Sequence, residues 1–455
     1  MSNPGEADPT PVTSVRQLAE WFAAGSKPRS AWKVGTEHEK FGFRRDEPGL
    51  PTPAYEPPAG ERGGIRALLQ GLQALHGWTP ILDDGNPIGL KRGGASISLE
   101  PAGQLELSGA VFSDLHAAQE ELNTHLREVH EVAGPLGLGF APLGFHPTAT
   151  RAAMPWMPKG RYAIMRDYMP KVGRLGLDMM LRTCTVQANL DYGDEGDMVE
   201  KLRVSLALQP VATALFANSP FTEGRPNGFR SMRSQVWTDT DPDRTGIPAV
   251  VFEPGFGFER FADWLLDVPM YFVMREGRWL NAAGANFRAF MDGRLLILPG
   301  ERATMGDFAD HVTTAFTEVR LKRFLEMRGM DAGSPAMLMA ASALWVGLLY
   351  DSAAQTAARA LTRDWTVAEI RALRAAVPRE ALGATLRGRP VREIAGDVVA
   401  IARDGLRARG LGEEVYLAPL DEIVASGLTG ADRWLHLYER LWDGDASRAL
   451  VAAEA

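Results

Sequence analysis

The sequence predicts an α+β protein built on an antiparallel sheet with one polar and one apolar face. Three observations favour this class. Four short segments alternate polar and apolar residues with the period of two that is typical of half-buried strands. Helical periodicities lie between them without the regular spacing of strand–helix–strand units. From Pro335 onward the composition shifts to Ala, Leu and Arg, so residues 335–455 are predicted to be mostly helical.

The predicted elements cover most of the chain. A polar, Pro-rich lead, residues 1–13, is expected to be disordered, and residues 14–455 are expected to form a single large domain. Loops are expected at 47–64 and between the second helix and the hairpin. The helices are predicted at 15–24, 65–76, 114–133 and 198–215, and the strands at 32–43, at 96–108 as a hairpin, at 183–191 and at 317–327.

Composition limits the function. The chain has 455 residues and a net charge of -8, which argues against a general nucleic-acid binder. Anionic substrates would therefore need divalent metals or placed arginines. Cys184 is the only cysteine, so a reducing compartment is expected, with a monomer or homodimer that has no disulfide. We find no secretory signal and no apolar run near 18 residues, which predicts a cytoplasmic protein that does not enter a membrane.

The first strand and the hairpin predict a face lined with carboxylates. In 33–43, Glu37 and Glu39 point the same way, roughly 6.5 to 7 Å apart, and each can hold a metal ion. Residues 96–108 form two short strands around a Pro-Ala-Gly turn. If Glu100 pairs with Gln104, then Ser98 pairs with Glu106, and these side chains share the polar face.

The third and fourth strands extend this polar face. In 183–191, Gln187 and Asn189 alternate with apolar residues, and Cys184 falls on the apolar side as a small core residue. In 318–322, Glu318, Arg320 and Lys322 share one face, a carboxylate with two cations that suits a triphosphate.

A polar strand face is more often simply exposed to solvent, and a single Glu-x-Glu is weak evidence. Four such faces, rich in carboxylates and amides, favour a cradle for several Mg²⁺ ions and a nucleotide. The eight histidines are scattered, which gives no support to a Ser-His-Asp or Cys-His site. His38 is interpreted as structural, and His116 and His125 are placed on surface helices.

Five ordered segments resemble conserved blocks of the plant-type glutamate–cysteine ligases, which also occur in proteobacteria. The resemblance spans roughly residues 14–450. Its blocks are 33–43, 96–108, 182–191, 235–239 and 318–331, the last being the long segment EVRLKRFLEMRGMD.

The resemblance implies a glutamine-synthetase-like catalytic fold, with the active site on the concave face of a curved antiparallel sheet and helices on the other. It implies ATP-dependent joining of the γ-carboxylate of L-glutamate to L-cysteine through γ-glutamyl phosphate, the first step of glutathione biosynthesis. ATP and several Mg²⁺ ions are then required. The metal ligands implied by the resemblance are Glu37, Glu39, Glu100, Glu106 and Glu318, with Gln187 and Asn189 beside them and Arg320 on the transferring phosphate. We take Gln187, Asn189 and Lys322 as candidates for binding the nucleotide, and Arg320, Glu37 and Glu106 as the candidate catalytic residues.

The amino-acid sites are less defined. Arg230 and Arg233 are candidates for the α-carboxylate of glutamate, Trp237 for an apolar wall, and Arg161 with Tyr162 for a second wall. The residues of the cysteine site stay unassigned. Several alternatives remain open at this point: a ligase that uses another amine acceptor, the same reaction feeding ergothioneine synthesis, a metal-dependent phosphohydrolase, and an inert paralogue. The cysteine-pair redox switch of plant members cannot operate with Cys184 alone.

Overall fold

A computed structural model describes residues 8–58 and 63–455. Its main sheet has nine strands, every pair of them antiparallel, as the sequence predicted. The strands are β1 Val34–Arg44, β2 Thr79–Asp83, β3 Asn86–Arg92, β4 Ala95–Leu99, β5 Leu105–Ser108, β6 Leu138–Ala141, β7 Thr185–Leu190, β8 Val319–Leu321 and β9 Leu325–Asp331. Their order in space is β8-β9-β7-β1-β5-β4-β3-β2, and β6 pairs with the far end of β1.

Helices cover both faces of this sheet. They are α1 Val15–Ala23, α2 Ile65–His76, α3 Leu115–Ala133, α4 Gly160–Val172, α5 Gly176–Arg182, α6 Glu195–Leu215, α7 Met232–Val236, α8 Phe258–Asp267, α9 Phe287–Met291, α10 Met305–Val312, α11 Pro335–Leu349, α12 Ser352–Thr362, α13 Val367–Glu380, α14 Val391–Arg409, α15 Ala418–Ser426, α16 Gly430–Arg440 and α17 Arg448–Ala452. Short two-stranded ribbons lie outside the main sheet: Phe221–Thr222 with Arg225–Pro226, Thr245–Gly246 with Phe316–Thr317, Phe272–Arg275 with Arg278–Asn281, and Thr385–Leu386 with Arg389–Pro390.

Local sequence explains where the long helices begin and end. The Asp114 side chain caps α3 by accepting from the Ala117 amide at 2.9 Å. At α13, Thr366 and Glu369 form a reciprocal capping box. Helix α14 ends at Gly410, whose φ of 70° is a conformation that glycine adopts at little cost.

The apolar face of the sheet rests on α6 and α11. Val186, Ala188 and Leu190 of β7 are fully buried in one core with residues of α6, α11 and α14. Helices α11 and α14 cross at Gly347 and Gly405. A Cβ on Gly347 would lie 2.2 Å from the Ala402 carbonyl oxygen, so the two backbones approach closely. The C-terminal helices therefore pack on the same core as the sheet. The apolar side of β4 and β5 packs on α2 in a second cluster.

Several predicted elements differ from the structure. Residues 79–92, expected to be loop, form β2 and β3, and the stretch 317–327 is two antiparallel strands instead of one. Part of the predicted disordered lead is ordered, because Val12 is buried and its amide donates to the Ala303 carbonyl at 2.8 Å. Residues 1–7, and 59–62 of the predicted loop, lie outside the described residues.

Across residues 8–58 and 63–455, no single helix is long and apolar enough to span a membrane. One bent pair, Pro335–Leu349 with Ser352–Thr362, meets the test by length and composition only.

Candidate active site

The strand register brings three carboxylates together on the polar face. Glu39 of β1 lies opposite Glu106 of β5, and Glu106 lies opposite Ser98 of β4 and accepts its hydroxyl hydrogen bond. Glu100 follows β4 directly, and its amide donates to the Gln104 carbonyl at 2.9 Å across the turn. The hairpin pairing predicted from the sequence is therefore confirmed.

These carboxylates form a cluster of like charge, in which Glu39 and Glu106 are buried and Glu100 is partly exposed. Burial raises the pKa of Glu39 well above its usual range, and repulsion from Glu100 and Glu106 adds to the shift. A backbone hydrogen bond from the Thr185 amide, 2.9 Å from a Glu39 oxygen, opposes the effect only in part. A cation at this position would relieve both the desolvation and the repulsion.

A second row of the face continues across β1 and β7. Glu37 lies opposite Gln187, and the Asn189 amide group donates to the Glu37 carboxylate at 2.7 Å. The Oδ1 of Asn189 is buried and accepts no hydrogen bond from the described residues. The Gln187 oxygen is engaged by Arg328, at 2.9 Å. This row therefore joins the acidic part of the face to a cationic part.

The cationic part is built by β8 and β9 around a buried carboxylate. Glu326 lies opposite Arg320 and pairs with it at 2.6 Å, with Arg328 at 2.9 Å and with Lys322 at 3.1 Å. Burial alone would raise the pKa of Glu326, but the three surrounding cations hold it well below its usual range. Burial, with repulsion from Arg328, lowers the pKa of Arg320 to about 10. Three cationic side chains surround one carboxylate here, so this part of the face has an excess of positive charge.

Helices α4, α5 and α7 cover the acidic cluster and leave a pocket over it. The pocket has a cavity volume of about 80 Å³. It is lined by Glu39, Glu100, Pro101, Gln104, Arg161, Tyr162, Met165, Met179, Met180, Thr183, Thr185, Arg233, Trp237, Phe316 and Arg328. A smaller cavity beside it shares Arg233, Trp237, Phe316 and Arg328 and adds Glu318. The pocket is therefore lined by two carboxylates, three guanidinium groups and several apolar side chains.

Four buried N–H donors in this region have no hydrogen-bond partner among the described residues. They are the Nε atoms of Arg161, Arg233 and Arg320 and the indole Nε1 of Trp237. Buried donors are nearly always paired in folded proteins, and an exception marks a place where a ligand or water completes the bonding. The donors therefore indicate a site for an anionic ligand.

Comparison with known proteins agrees with this geometry. The family model described as glutamate–cysteine ligase family 2 (GCS2) matches residues 33–453. A chloroplastic glutamate–cysteine ligase of Arabidopsis thaliana is 50% identical, over 93% of this chain and 80% of its own length. The chain belongs to glutamate–cysteine ligase family 2. It catalyses the ATP-dependent formation of γ-glutamylcysteine, which confirms the overall reaction predicted from the sequence.

Other relatives support the same assignment. Glutamate–cysteine ligase B of Oryza sativa, also named as chloroplastic, is 49% identical over 95% of this chain and 85% of its own length. The solved glutamate–cysteine ligase of Francisella tularensis has the same fold, with a TM-score of 0.54 at 11% identity over 92% of this chain and 88% of its own. The predicted fold class is thereby confirmed. The cytoplasmic location predicted from the sequence is contradicted by the plant relatives, whose names point to a plastid instead.

Within this family member, the predicted amino-acid-binding residues separate into two groups. Arg161, Tyr162, Arg233 and Trp237 line the pocket, whereas Arg230 does not reach it. Arg230 precedes the cap of α7 and pairs at 2.5 Å with Asp432 of α16, in a different cavity. The prediction for Arg230 is therefore corrected, because the turn into α7 sends the two arginines in different directions.

Glu318 and His125 make contacts that were not predicted from the sequence. Glu318, predicted as a metal ligand, pairs with Arg374 of α13 and lines the smaller cavity. Its role as a ligand stays a prediction. His125 is buried, not on a surface as predicted, with its ring 5.5 Å from that of His38 on the back of β1. His38 and Cys184 are buried on that same side, as predicted.

Sequence reasoning missed three charged residues of the site: Glu326, Arg328 and Arg374. For the first two a signal existed, because Glu326 and Arg328 alternate with apolar neighbours just after Lys322. Because 317–327 was predicted to be a single strand, the turn between β8 and β9 was not recognised. For Arg374, in an Ala- and Arg-rich helix, only the tertiary structure gives the contact with Glu318.

The oxygen atoms available at the site decide whether it can bind magnesium. Glu39, Glu100 and Glu106 supply the hard oxygen ligands that Mg²⁺ prefers, and Asn189 offers an unpaired oxygen. Among the described residues, no group of three or more acidic, His or Cys side chains converges closely enough to hold a metal alone. Mg²⁺ is commonly held by one or two carboxylates together with substrate phosphates. The donor set fits an ion that shares its ligands with a nucleotide.

Proposed function

We propose that γ-glutamylcysteine is made in two half-reactions on the polar face of the sheet. In the first, an oxygen of the glutamate γ-carboxylate attacks the γ-phosphorus of ATP. The bond to the β,γ-bridging oxygen breaks, ADP leaves, and γ-glutamyl phosphate forms. In the second, the neutral amine of cysteine attacks the γ-carbonyl carbon, the carbon–oxygen bond to phosphate breaks, and the amine loses its proton. The observation that carries this proposal is the set of unpaired buried donors beside the carboxylate cluster.

Arg233, Arg161 and Trp237 bind the amino-acid substrates in this proposal. Each has a buried N–H donor without a partner among the described residues, and all three line the pocket. A carboxylate is the ligand that guanidinium groups bind best, through charge-assisted hydrogen bonds. The neighbouring thioethers of Met165 and Met179 give the same pocket a soft apolar wall.

Arg320 acts on the transferring phosphoryl group. Its Nη1 donates to the Thr313 carbonyl and its Nη2 pairs with Glu326, so the guanidinium is held in place with Nε unpaired. Phosphoryl transfer depends mainly on positioning and on neutralising charge. A fixed cation of this kind needs no reorganisation as charge develops on the phosphoryl oxygens.

Glu39, Glu100 and Glu106 would hold magnesium, with Glu37 and Asn189 beside them. When bound, the metal supplies charge neutralisation for the polyphosphate. The register of β1, β4 and β5 holds the carboxylates in place, and α4, α5 and α7 cover the pocket. Such a cover limits the access of water, which would otherwise hydrolyse an acyl phosphate.

A coupled turnover experiment tests the proposal. Phosphate release would be measured with ATP and Mg²⁺, with neither amino acid, with glutamate alone and with both, and the product identified by mass. We expect multiple turnovers only with both amino acids, and one γ-glutamylcysteine per phosphate. Phosphate release without glutamate would indicate a phosphohydrolase and contradict the proposal. A preference for another amine at equal concentration would retain the activation step but contradict cysteine as the acceptor.

A further inference from the structure

A buried carboxylate lies behind the substrate pocket and does not line it. Asp331 ends β9, and its side chain is almost fully buried. Its Oδ2 accepts from the Asn218 amide at 2.8 Å and from the Ser219 hydroxyl at 2.6 Å, and its Oδ1 accepts from the Ser231 hydroxyl at 2.7 Å. A buried carboxylate needs hydrogen bonds to both of its oxygens, and these three donors supply them.

Two of these donors belong to the structure that holds α7. Ser231 is the N-cap of α7, and its hydroxyl accepts from the Ser234 amide at 3.1 Å. The hydroxyl of Ser219 accepts from the backbone amide of Arg233 at 3.2 Å. Asp331 therefore orients both hydroxyls, because each one donates its single hydrogen to the carboxylate and is left to accept from α7.

Helix α7 depends on such anchors because it is short. It spans five residues, Met232–Val236, and one turn of helix is unstable without tertiary contacts. Arg233 lies near its start, and Trp237 follows its last residue. Both have unpaired buried donors that face the pocket. A rotation of this one turn would displace two of the donors proposed to bind substrate.

We propose that Asp331 is a positioning residue that sets the orientation of α7, and through it the Arg233 guanidinium, for binding the carboxylate of glutamate. The inference rests on the proposed function, because it needs Arg233 to contact substrate. Asp331 itself touches no substrate. The Asp331 carboxylate also attracts the Arg233 guanidinium. Among the acidic groups near Arg233, it makes the largest contribution to stabilising the arginine's positive charge.

The surroundings of Asp331 admit little variation. An asparagine has one acceptor oxygen in place of two, so at least one of the three donors would face an N–H group. The carboxyl group packs directly against Gly144, where a Cβ would lie 2.3 Å from the Asp331 carboxyl carbon, so a longer side chain would move its carboxylate away from the three donors. We therefore expect glutamate at this position to be as defective as asparagine.

The test compares Asp331→Asn with Asp307→Asn. Asp307 is a buried carboxylate that closes the capping box of α10 and pairs with Arg275 at 2.7 Å, and it lines neither substrate cavity. Both variants lose a charged acceptor that supports the first turn of a helix, and both should lower the melting temperature. Only Asp331→Asn should raise the KM for glutamate, by about 10- to 100-fold, with the KM for ATP changed less than threefold. An unchanged glutamate KM in a folded Asp331→Asn variant would overturn the proposal.

Two further variants separate the possible failures. Arg233→Ala tests the proposed function: if it leaves the glutamate KM unchanged, the substrate role of Arg233 fails, whatever Asp331 does. If Arg233→Ala raises the KM and Asp331→Asn does not, only the positioning role fails. Should Asp331→Asn not fold, Ser231→Ala and Ser231→Thr replace it. The alanine variant should raise the glutamate KM and the threonine variant, which keeps the hydroxyl, should restore it; equal values for the two would overturn the proposal.

Discussion

Replacing Arg320 by alanine removes a fixed cation from the phosphoryl-transfer step. The guanidinium is fully buried, two of its nitrogens are held by Thr313 and Glu326, and Nε has no partner among the described residues. Loss of one preorganised donor costs about 10² to 10³ in rate, and loss of an arginine at a transferring phosphoryl group about 10³ or more. We therefore expect kcat to fall about 10³-fold, equivalent to about 4 kcal/mol of transition-state stabilisation.

The fold should survive this change. Glu326 keeps Lys322 at 3.1 Å and Arg328 at 2.9 Å, so its charge remains compensated. Burial already lowers the pKa of Arg320 to about 10, which means that its charge is not favoured by the surroundings. We expect the free energy of unfolding to fall by about 1–3 kcal/mol. Glu326→Gln should be worse for the fold, because it leaves three buried cations without their carboxylate.

The assay is single-turnover formation of ADP from ATP in the presence of glutamate, with the KM for ATP measured in parallel. Arg320→Lys is the matched control, because it keeps the charge and loses the planar fork, and its rate should lie between those of the wild type and Arg320→Ala. A folded Arg320→Ala enzyme whose kcat lies within threefold of the wild type would refute the reasoning. So would a loss that appears only as a higher KM for ATP.

Four other outcomes are expected. Glu39→Gln should raise the Mg²⁺ concentration needed for half-maximal turnover at least tenfold, about 1.4 kcal/mol, and an unchanged requirement would remove it from the ligand set. Burial and like charge raise the pKa of Glu39 in the folded protein above its value in the unfolded chain. The folded state therefore loses stability as the pH rises from the unfolded pKa to the folded pKa, because Glu39 must then ionise in the fold. Mg²⁺ should therefore raise the melting temperature more at about pH 8 than at about pH 5.5, and a pH-independent shift would contradict this. Arg233→Ala should raise the glutamate KM about tenfold or more while Arg230→Ala, paired at 2.5 Å with Asp432, should not; equal effects would reject the corrected assignment. Cys184→Ser should cost about 1–3 kcal/mol in unfolding free energy through an unpaired buried hydroxyl, with kcat unchanged, and an inactive folded variant would overturn its core role.

The alternation of polar and apolar residues predicted the central part of the fold. Glu37, Glu39 and Glu106 share a face because strand side chains alternate and because the hairpin register follows from the three-residue turn. Pairing between distant strands is not written in local sequence. The β1–β7 pairing, which places Glu37 opposite Gln187, required the tertiary structure.

The residues that were misplaced or missed show the limit of local patterns. Arg230 and Arg233 are equivalent as charges in the sequence, but only Arg233 lies within α7 and reaches the pocket. The turn between β8 and β9 lacks a strong turn signal, so Glu326 was not recognised. Arg374 reaches Glu318 across more than fifty positions of chain, and an exposed arginine on a helix would carry the same sequence pattern.

The central claim is that the γ-carboxylate of glutamate takes the phosphoryl group of ATP before cysteine attacks, and an isotope measurement tests it most directly. Glutamate labelled with ¹⁸O in the γ-carboxylate would be converted with ATP, Mg²⁺ and cysteine, and the released phosphate analysed by mass. The account predicts one ¹⁸O atom transferred to each phosphate released, with γ-glutamylcysteine formed in equal amount. Phosphate that carries no ¹⁸O while γ-glutamylcysteine accumulates would contradict an acyl phosphate and the role assigned to Arg320.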